Sequence, residues 1–236
     1  MQYVLHKAES RGFADHGWLK AQHSFSFAGW HDPDKINFGK LRVLNDDIIA
    51  PGQGFGTHPH ENMEIVSIPL EGKLAHKDNK GHEEVIQHNE IQVMSAGTGI
   101  YHSEYNASET ESVNLLQLWV FPNKNGHEPR YNQKSFDPND RKNKLHTFVS
   151  PHKSDNNLWL NQDAYLSWCD LDENKSIIYK LNSINNGVYL FLIDGIISVE
   201  EQILSMRDAI GIWEFDEIKI QAEKNSSILF VEVPIN

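Results

Sequence analysis

The sequence predicts an all-β protein built from two antiparallel β-sandwich domains. Short apolar-alternating runs recur along the 236 residues, separated by turns rich in glycine, proline, asparagine and aspartate. This pattern is typical of sandwiches and barrels, and not of helical or parallel α/β folds. The same strand rhythm occurs twice, on either side of a polar, turn-rich stretch. The repetition predicts a duplicated β domain.

The predicted strands are short and closely spaced. Each one is marked by alternation of apolar and polar side chains or by a continuous apolar run. In the first half we expect strands at 23–27, 41–45, 63–69, 85–87, 91–94, 100–105 and 113–121. In the second half we expect them at 177–181, 188–193, 196–199, 210–215, 218–222 and 228–233. The corresponding domains are an N-terminal domain at 1–130, a connecting segment over the surface at 131–160, and a C-terminal domain at 161–236.

Composition and charge exclude several classes of partner. Hydrophobic residues make up 39% of the chain and aromatic residues 10%, as is ordinary for a folded protein. The net charge of −12 comes without a basic stripe, so neither direct nucleic-acid binding nor membrane docking is expected. The single cysteine, Cys169, allows no intrachain disulfide, and the first residues lack the apolar core of a signal peptide. A cytoplasmic location is therefore expected.

Histidine is distributed unevenly along the chain. Eleven of the thirteen histidines lie at or before His127, and none follows His152. A histidine-rich metal site must therefore be built from the first half. The C-terminal domain is expected to carry no metal site.

The segment 52–106 carries the pattern with the most chemical meaning. It contains two glycine-rich turns, each followed by two metal-competent side chains two residues apart. These are His58 and His60 in the first piece, and His102 and Glu104 in the second. Alternate side chains of a β-strand point to the same face, so each pair is aimed into one space. If the two strands face each other, the four groups converge on a single point.

Three imidazoles and one carboxylate form a mixed nitrogen and oxygen ligand set. Such a set suits Fe, Mn, Co, Ni, Cu or Zn, whereas Ca and Mg prefer oxygen ligands. A structural zinc site of the cysteine type is excluded because the set has no thiolates. An ion that accepts more than four ligands could also bind a substrate oxygen, dioxygen or water. Glu64, four residues after His60, is expected to support the site or the structure, since Glu104 completes the set.

The remaining candidates carry less chemistry. His76, His82 and His88 are scattered around a polar hairpin and are expected to be solvated. Cys169 is expected to be a small buried residue and not a nucleophile. The sequence contains no P-loop, dinucleotide fingerprint or nucleophile elbow. The many aromatic residues of the first forty positions are expected in the core, with lining of a pocket for a flat ligand as the alternative.

Two motifs in this segment resemble those of the cupin superfamily. The first is Gly-x5-His-x-His-x3-Glu (Gly52, His58, His60, Glu64), and the second is Gly-x2-His-x3-Asn (Gly99, His102, Asn106). The sequence departs from the general cupin pattern at Asn89, where a glycine is usual, in a hairpin turn away from the ligands. Longer segments resemble the pirin family at 55–60, 70–72 and 94–104, and its bacterial branch, the pirin-like quercetinases, at 16–19, 23–28, 41–47 and 129–131.

The resemblance implies a bicupin fold, in which two antiparallel β-sandwich or jelly-roll barrels pack together and only the first holds metal. It assigns the metal ligands to His58, His60, His102 and Glu104. The implied cofactor is one divalent transition metal ion, with Fe(II) as the first expectation and Cu, Ni, Co, Mn or Zn as the other ions that the set suits. The implied partners are a small planar aromatic substrate and O2.

The activity implied by the resemblance is a metal-dependent dioxygenase that opens the heterocycle of flavonols such as quercetin with O2 and releases carbon monoxide. Glu104 would be the catalytic residue that takes the proton of the flavonol 3-hydroxyl. The slot for the planar rings would be formed by Phe25, Phe27, Phe38 and Phe55.

Two other functions remain open at this point. Some pirins are described as transcriptional co-regulators, so the chain could be a metal- or redox-sensing protein that binds protein partners. The third possibility is a cupin whose metal is only structural. Carbon monoxide release from a flavonol distinguishes the enzyme from both.

Overall fold

The computed structural model describes residues 1–236 and consists almost entirely of β-strands. Two short 3-10 helices lie at Ala8–Ser10 and Pro138–Arg141, and no helix is long and apolar enough to cross a membrane. The first twelve strands are β1 Gln2–His6, β2 Gly12–Asp15, β3 Leu19–His23, β4 Leu41–Ile49, β5 Gly54–His60, β6 Glu64–Glu71, β7 Lys73–Asp78, β8 Glu83–Gln87, β9 Glu90–Ser95, β10 Ile100–Asn106, β11 Val113–Val120 and β12 Arg130–Ser135. The other ten are β13 His146–Ser150, β14 Leu158–Trp159, β15 Tyr165–Leu171, β16 Ser176–Lys180, β17 Asn186–Asp194, β18 Ile196–Val199, β19 Gln202–Ser205, β20 Ala209–Trp213, β21 Glu217–Ala222 and β22 Ser226–Pro234.

The strands form two sandwiches, each made of a seven-stranded and a four-stranded sheet. The first sandwich has the strand orders β12-β9-β6-β11-β4-β3-β2 and β5-β10-β7-β8. The second has the orders β1-β20-β17-β22-β15-β13-β14 and β16-β21-β18-β19. The all-β architecture of two antiparallel sandwiches is confirmed, and only the short pair of β13 and β14 is parallel.

Apolar cores occupy three layers of the molecule. The largest contains 26 buried residues from the seven-stranded sheets of both sandwiches, so these two sheets pack against each other. The interior of the second sandwich is filled by a core of 16 buried residues. The first sandwich holds only two small cores, of 7 and 4 buried residues. Its interior is therefore the place where polar side chains and a cavity are found.

The central strand β11 contributes side chains to two apolar cores, one on each face. Leu116 and Leu118 belong to the core between the two sandwiches. Leu115, on the opposite face, belongs to the interior core of the first sandwich. Gln117 and Trp119 lie on that interior face too, where they line a cavity. A strand buried on both faces reads as a nearly continuous apolar run, as 113–121 does.

The structure corrects three expectations about where strands end and which sandwich they belong to. The strand expected at 23–27 ends at His23: Ser24 N still donates to the Leu44 carbonyl at 3.0 Å, but Phe25 lies in the core between the sandwiches. The expected connection at 131–160 contains strands of both halves, because β12 pairs with β9 and β13 pairs with β15. The N-terminal strand β1 pairs with β20 and so belongs to the second sandwich. Pairings between segments far apart in sequence leave no local signal.

The hairpin turn at Asn89 forms without the glycine that is usual there in cupins. Asn89 has φ of +66°, in the left-handed region that asparagine tolerates better than other side chains. Its carbonyl accepts a hydrogen bond from Phe136 N at 2.9 Å, and its side chain accepts one from Arg141 at 3.2 Å. The departure from glycine at this position is therefore accommodated by the turn.

Candidate metal centre

The two histidine-bearing segments form neighbouring antiparallel strands in the four-stranded sheet of the first sandwich. β5 pairs with β10 in a register that places His58 opposite His102. Along β10, His102 and Glu104 are buried, whereas Tyr101 and Tyr105 are about half exposed. The strand alternation therefore turns His102 and Glu104 into the sandwich.

A β-bulge in β5 brings a phenylalanine onto the same face as the histidines. His58 lies opposite His102, but the residue opposite Glu104 is Phe55, three positions before His58. Two residues of β5 thus lie opposite one residue of β10, and the alternation shifts by one position. As a result, Phe55 lines the same cavity as His58 and His60.

A glycine allows β5 to approach β10 at this point. A Cβ atom at Gly54 would lie 2.2 Å from the Glu104 carbonyl oxygen and 2.5 Å from Tyr105 Cα. Only a residue without a side chain fits that space. The glycine-rich character of the first motif is therefore explained by the close contact of two ligand-bearing strands.

The three imidazole rings converge on one point. Ring centroids of His58 and His102 are 4.4 Å apart, and those of His60 lie 4.9 Å from His58 and 4.8 Å from His102. His58 Nδ1–H donates to the Gly56 carbonyl at 2.8 Å, which leaves Nε2 available. His102 Nε2 is buried and has no hydrogen-bond partner. Unpartnered ring nitrogens at the meeting point of three imidazoles fit a cation.

Burial keeps two of these rings neutral. It lowers the pKa of His60 to about 4, with His102 and His58 nearby adding to the effect. It also lowers the pKa of His102 to about 3, again with neighbouring histidines, His58 and His76, adding to it. A metal ion binds the neutral imidazole, so both rings are in the binding form at pH 7.

Glu104 lies beside these rings with a fixed orientation. Its side chain is buried, and Gln117 Nε2 donates to Oε2 at 2.7 Å while Ser67 Oγ donates to Oε1 at 3.3 Å. A carboxylate oxygen of Glu104 lies within 4.8 Å of a ring nitrogen of His102. His102 thus belongs both to the group of three histidines and to a group with Glu104, so the other three side chains that the sequence spacing singled out lie around His102.

A cavity of about 220 Å³ opens next to these side chains. One part of its wall is aromatic and aliphatic, and another part is polar. The ring of Phe27 packs edge-on against Trp119 at 5.3 Å, and His60 packs edge-on against the same indole at 4.9 Å. The cavity is lined by Leu19, Ala21, His23, Phe27, Asn45, Asp47, Phe55, His58, His60, Glu104, Gln117 and Trp119.

Two of the four phenylalanines assigned to a substrate slot do not reach this cavity. Phe27 and Phe55 line it. Phe25 and Phe38 instead lie in the core between the sandwiches, with their rings 5.3 and 5.5 Å from Tyr189. For Phe25 the cause is the early end of β3 at His23, after which the strand alternation no longer applies. Phe38 lies in the connection before β4.

Sequence reasoning missed His76, which was expected to be solvated. It is 1% exposed and lies in β7 opposite Glu104. Its ring centroid is 5.2 Å from that of His102. The signal that could have found it is the alternation of buried Leu74, His76 and Asp78 along β7.

Asp47, in β4, is a second missed residue. It lines the cavity and is 4% exposed, and its Oδ1 has no hydrogen-bond partner. Burial, with the charges of Asp46 and Glu104 adding to it, raises the pKa of Asp47 to about 8. In the absence of a cation the carboxyl group is therefore mostly protonated at pH 7.

Glu64 has a structural position, in line with the expectation that it would support the site or the structure. Its carboxylate accepts hydrogen bonds from Ser95 Oγ at 2.8 Å, Asn161 N at 3.1 Å and Asn161 Nδ2 at 3.0 Å. Arg130 lies 4.0 Å away. Because Asn161 precedes β15 of the second sandwich, Glu64 ties the two sandwiches together.

The second sandwich has no comparable centre. Its interior is filled by apolar side chains and contains no histidine. The buried carboxylate on that side, Glu232, accepts hydrogen bonds from Tyr179 Oη at 2.6 Å, Asn182 Nδ2 at 2.9 Å and Asn186 Nδ2 at 3.0 Å. A carboxylate with so many protein donors stabilises the fold.

Comparison with known proteins adds the family. Residues 5–120 match the family model described as Pirin, and residues 147–233 match the model described as Quercetinase C-terminal cupin domain. The chain is 42% identical to the quercetin 2,3-dioxygenase of Escherichia coli K12 over 231 residues, which is 98% of each chain. The chain belongs to the pirin family. The pirin-like protein of Caulobacter vibrioides is 39% identical over 94% of this chain and 95% of that one.

Solved pirin structures share the whole architecture. The crystal structure of YhhW from Escherichia coli has a TM-score of 0.95 at 40% identity, covering 100% of this chain and 99% of that chain. The structure of the same bacterial pirin in complex with nickel(II) has a TM-score of 0.94 at 39% identity, covering 100% of both chains. The bicupin arrangement is therefore the fold of this pirin-family chain.

The residues present fit a divalent metal ion. Imidazole nitrogens of His58, His60 and His102 lie within 4.8 Å of one another, and a carboxylate oxygen of Glu104 lies within the same distance of His102, which are donors that suit transition metals. The buried, unpartnered Nε2 of His102 is the observation that carries this fit, because a buried polar atom without a partner is costly. One ring nitrogen of His58 and one of His60 lie within 4.8 Å of a ring nitrogen of His102.

Proposed function

We propose that this pirin-family protein is a metal-dependent dioxygenase that opens the heterocycle of a flavonol such as quercetin with O2 and releases carbon monoxide. The observation that carries the proposal is the cluster of His58, His60 and His102, with Glu104 beside His102, next to a cavity with aromatic sides. The relative from Escherichia coli K12 named quercetin 2,3-dioxygenase, which matches over 98% of each chain, supports the same activity.

The metal would be held by His58, His60, His102 and Glu104, and Fe(II) is the ion we propose. When bound, the ion supplies a Lewis acid and a redox-active centre next to the cavity. The histidine donors are prepared for it, because burial and neighbouring imidazoles hold the pKa of His60 and of His102 well below 7. No proton has to leave either ring before binding at neutral pH.

Glu104 is the residue we propose as the base for the flavonol 3-hydroxyl. Its Oε2 is held by Gln117 at 2.7 Å, whereas the contact of Oε1 with Ser67 is longer, at 3.3 Å. The carboxylate is therefore oriented but keeps acceptor capacity for a substrate proton. Removal of that proton makes the flavonol ring electron-rich, which is the state that reacts with O2.

The walls of the cavity match a planar polyphenol. Phe27, Phe55 and Trp119 provide flat apolar surface, and Asn45 and Asp47 provide groups that can hydrogen-bond ring hydroxyls. The volume of about 220 Å³ lies below the range of roughly 300–1,000 Å³ usual for drug-sized ligands, so part of a flavonol would extend into the mouth. We expect the edge that carries the 3-hydroxyl to enter first.

The proposal is tested with protein loaded with Fe(II) under anaerobic conditions and mixed with quercetin. Admission of O2 should cause loss of the visible absorbance of the flavonol together with one carbon monoxide per substrate. His102→Ala should abolish both signals while leaving the circular dichroism spectrum unchanged. His88→Ala is the matched control, because His88 is exposed in a turn and should leave turnover unchanged.

A negative result would be equally informative. If protein with a full complement of metal leaves a panel of flavonols intact under O2, the dioxygenase proposal is wrong. The metal- or redox-sensing role, with binding of a protein partner, would then be the function to pursue. The panel should be repeated with Ni, Co, Mn, Cu and Zn, since the ligand set suits these ions as well.

A further inference from the structure

Behind His102, on the side away from the cavity, lies a buried chain of hydrogen bonds that the proposed reaction does not use. His102 Nδ1 lies 3.4 Å from His76 Nδ1. The other ring nitrogen of His76, Nε2, lies 3.2 Å from Asp78 Oδ2. His82 Nδ1 lies 2.8 Å from the same carboxylate oxygen and is the surface end of the chain. His76 and His102 are each 1% exposed.

The Asp78 carboxylate, between His76 and His82, determines the direction of the hydrogen bonds in this chain. Asp78 accepts hydrogen bonds from Lys80 N at 2.8 Å and His82 N at 3.1 Å as well as from the two imidazoles. Burial alone would raise the pKa of Asp78, but these hydrogen bonds outweigh it and lower the pKa. An ionised carboxylate only accepts, so the proton in its contact with His76 is on His76 Nε2.

The protonation of one nitrogen of His76 fixes the other. In a neutral imidazole that carries its proton on Nε2, Nδ1 is an acceptor. Gln92 Nε2 points at this same Nδ1 from 3.2 Å, as expected for an acceptor. In the contact with His76 only His102 Nδ1 can then supply the proton, and it shares the single lone pair of His76 Nδ1 with Gln92. The lone pair of His102 is left on Nε2, the buried atom that has no protein partner.

Packing holds the ring of His76 in the orientation that this chain requires. Tyr131, in β12, lies between the imidazoles of His76 and His82, and its ring centroid is 4.7 Å from that of His76 and 4.9 Å from that of His82. The His82 ring is stacked on the tyrosine at an interplanar angle of 20°. Both ring nitrogens of His76 are engaged, so His76 has none left to offer an ion at the histidine cluster, although it lies within 4.8 Å of donor atoms of His102 and Glu104.

We propose that His76, anchored by Asp78, is a positioning residue of the metal centre that holds His102 in the Nδ1–H tautomer and so presents Nε2 to the ion. A histidine ligand whose second nitrogen is fixed by a hydrogen-bonded partner binds metal more tightly than a free one. Here the partner is a second histidine, which relays the orientation imposed by the carboxylate. The inference goes beyond the proposed reaction, since it applies equally to a sensing or structural ion.

The first test uses the metal-free protein and requires no activity. Protein with 15N-labelled histidine is examined at pH 7 by long-range 1H–15N correlation, with the His102 signals assigned by their loss in His102→Gln. We expect a protonated Nδ1 and an unprotonated Nε2 for His102, and the opposite tautomer for His76. If His102 carries its proton on Nε2, the proposal is wrong, whatever the protein does with flavonols.

The second test measures the affinity for Ni(II) by competition with a chromogenic chelator. His76→Phe keeps an aromatic ring against Tyr131 but removes the acceptor for His102, and we expect binding about 10- to 100-fold weaker. His88→Phe is the matched control, because it makes the same substitution at an exposed histidine outside this hydrogen-bond chain, and it should bind as the wild type does. A folded His76→Phe variant with wild-type affinity would overturn the positioning role. If that variant does not fold, the tautomer of wild-type His102 still decides the question.

Discussion

Asp46 and Asp47 are consecutive residues of β4, yet their carboxyl groups lie in opposite environments. Asp46 Oδ2 is 3.3 Å from Arg11 Nη1 and 3.2 Å from Arg207 Nε, on the side of the sheet that faces the second sandwich. Asp47 lines the cavity beside the histidines, and its Oδ1 has no hydrogen-bond partner. Alternation along one strand thus gives a paired carboxylate to the interface and an unpaired one to the metal cavity.

Asp47→Asn is expected to stabilise the metal-free protein, and more so as the pH rises. The folded-state pKa of Asp47 is about 8, above the value of roughly 3.9 in an unfolded chain. The folded state therefore binds more protons, and the contribution of Asp47 to stability is lost as the pH rises from about 4 through 8. At pH 9 the variant should gain up to about 5 kcal/mol, at roughly 1.4 kcal/mol per pKa unit. Chemical denaturation of metal-free protein at pH 5.5 and pH 9 measures the difference.

Asp46→Asn provides the contrast for this experiment. It removes a charge that is paired with two arginines, so it should destabilise the protein at both pH values. Equal effects of the two substitutions would show that the environments of the two carboxyl groups do not differ as described.

His60→Ala is expected to reduce the affinity for a divalent metal by more than the roughly 10- to 100-fold that loss of a supporting contact costs. The ring of His60 lies 4.8 Å from that of His102 and 4.9 Å from that of His58, so its removal opens one side of the cluster. Equilibrium dialysis of protein prepared without a chelating column gives the affinity. His16→Ala, which alters an exposed histidine, should bind metal as the wild type does.

The stability of the protein is expected to fall in mild acid partly because of His6. Burial, with the charge of Lys35 adding to it, lowers the pKa of His6 to about 4, and its Nδ1 is 2.9 Å from Tyr189 Oη. The unfolded chain takes up a proton near pH 6.5, so the contribution is complete above that pH and is lost as the pH falls toward 4. Between pH 7 and pH 4 the wild type should lose about 3 kcal/mol more than His6→Asn. A parallel pH dependence of the two proteins in urea titrations would contradict this assignment.

Glu64→Ala is expected to destabilise the fold without removing the metal site. It leaves the buried donors of Ser95 and Asn161 without an acceptor, at a cost of about 1–3 kcal/mol for each unsatisfied group. The number of metal ions bound per chain should stay the same, because Glu104 is the carboxylate beside the histidines. Glu71→Ala, at the exposed end of the same strand, is the control for stability. Loss of metal in Glu64→Ala with the fold retained would show that Glu64 is itself a ligand.

Much of the architecture could be predicted because the strands obey simple alternation. The strands expected at 113–121 and 228–233 match β11 and β22 closely, since long apolar runs bounded by turns have few other solutions. Strands without such runs were missed. β1 and β12 have mixed composition and are held by partners that the sequence does not reveal, β20 and β9. Their strand character comes from pairing and not from propensity.

The candidate site likewise contains residues that the sequence could predict and residues that it could not. His58, His60, His102 and Glu104 could be selected from spacing alone, because residues two apart on a strand share a face. His76 could not, because the polar residues around it resemble a solvated hairpin. Phe25 and Phe27 are also two residues apart, but one lies in the interface core and the other lines the cavity. The chain leaves β3 at His23, before either residue, and spacing then carries no information about direction.

The sequence by itself determined the two β domains and the four side chains that share two strand faces, since both follow from periodicity along the chain. Only the tertiary structure decided which groups stand around those four: the bulge that turns Phe55 inward, the unpartnered Asp47 and the histidine behind His102. These neighbours come from strands brought together by sheet pairing and by packing across the sandwich. Contacts of that kind depend on register and layer order, which no local pattern encodes.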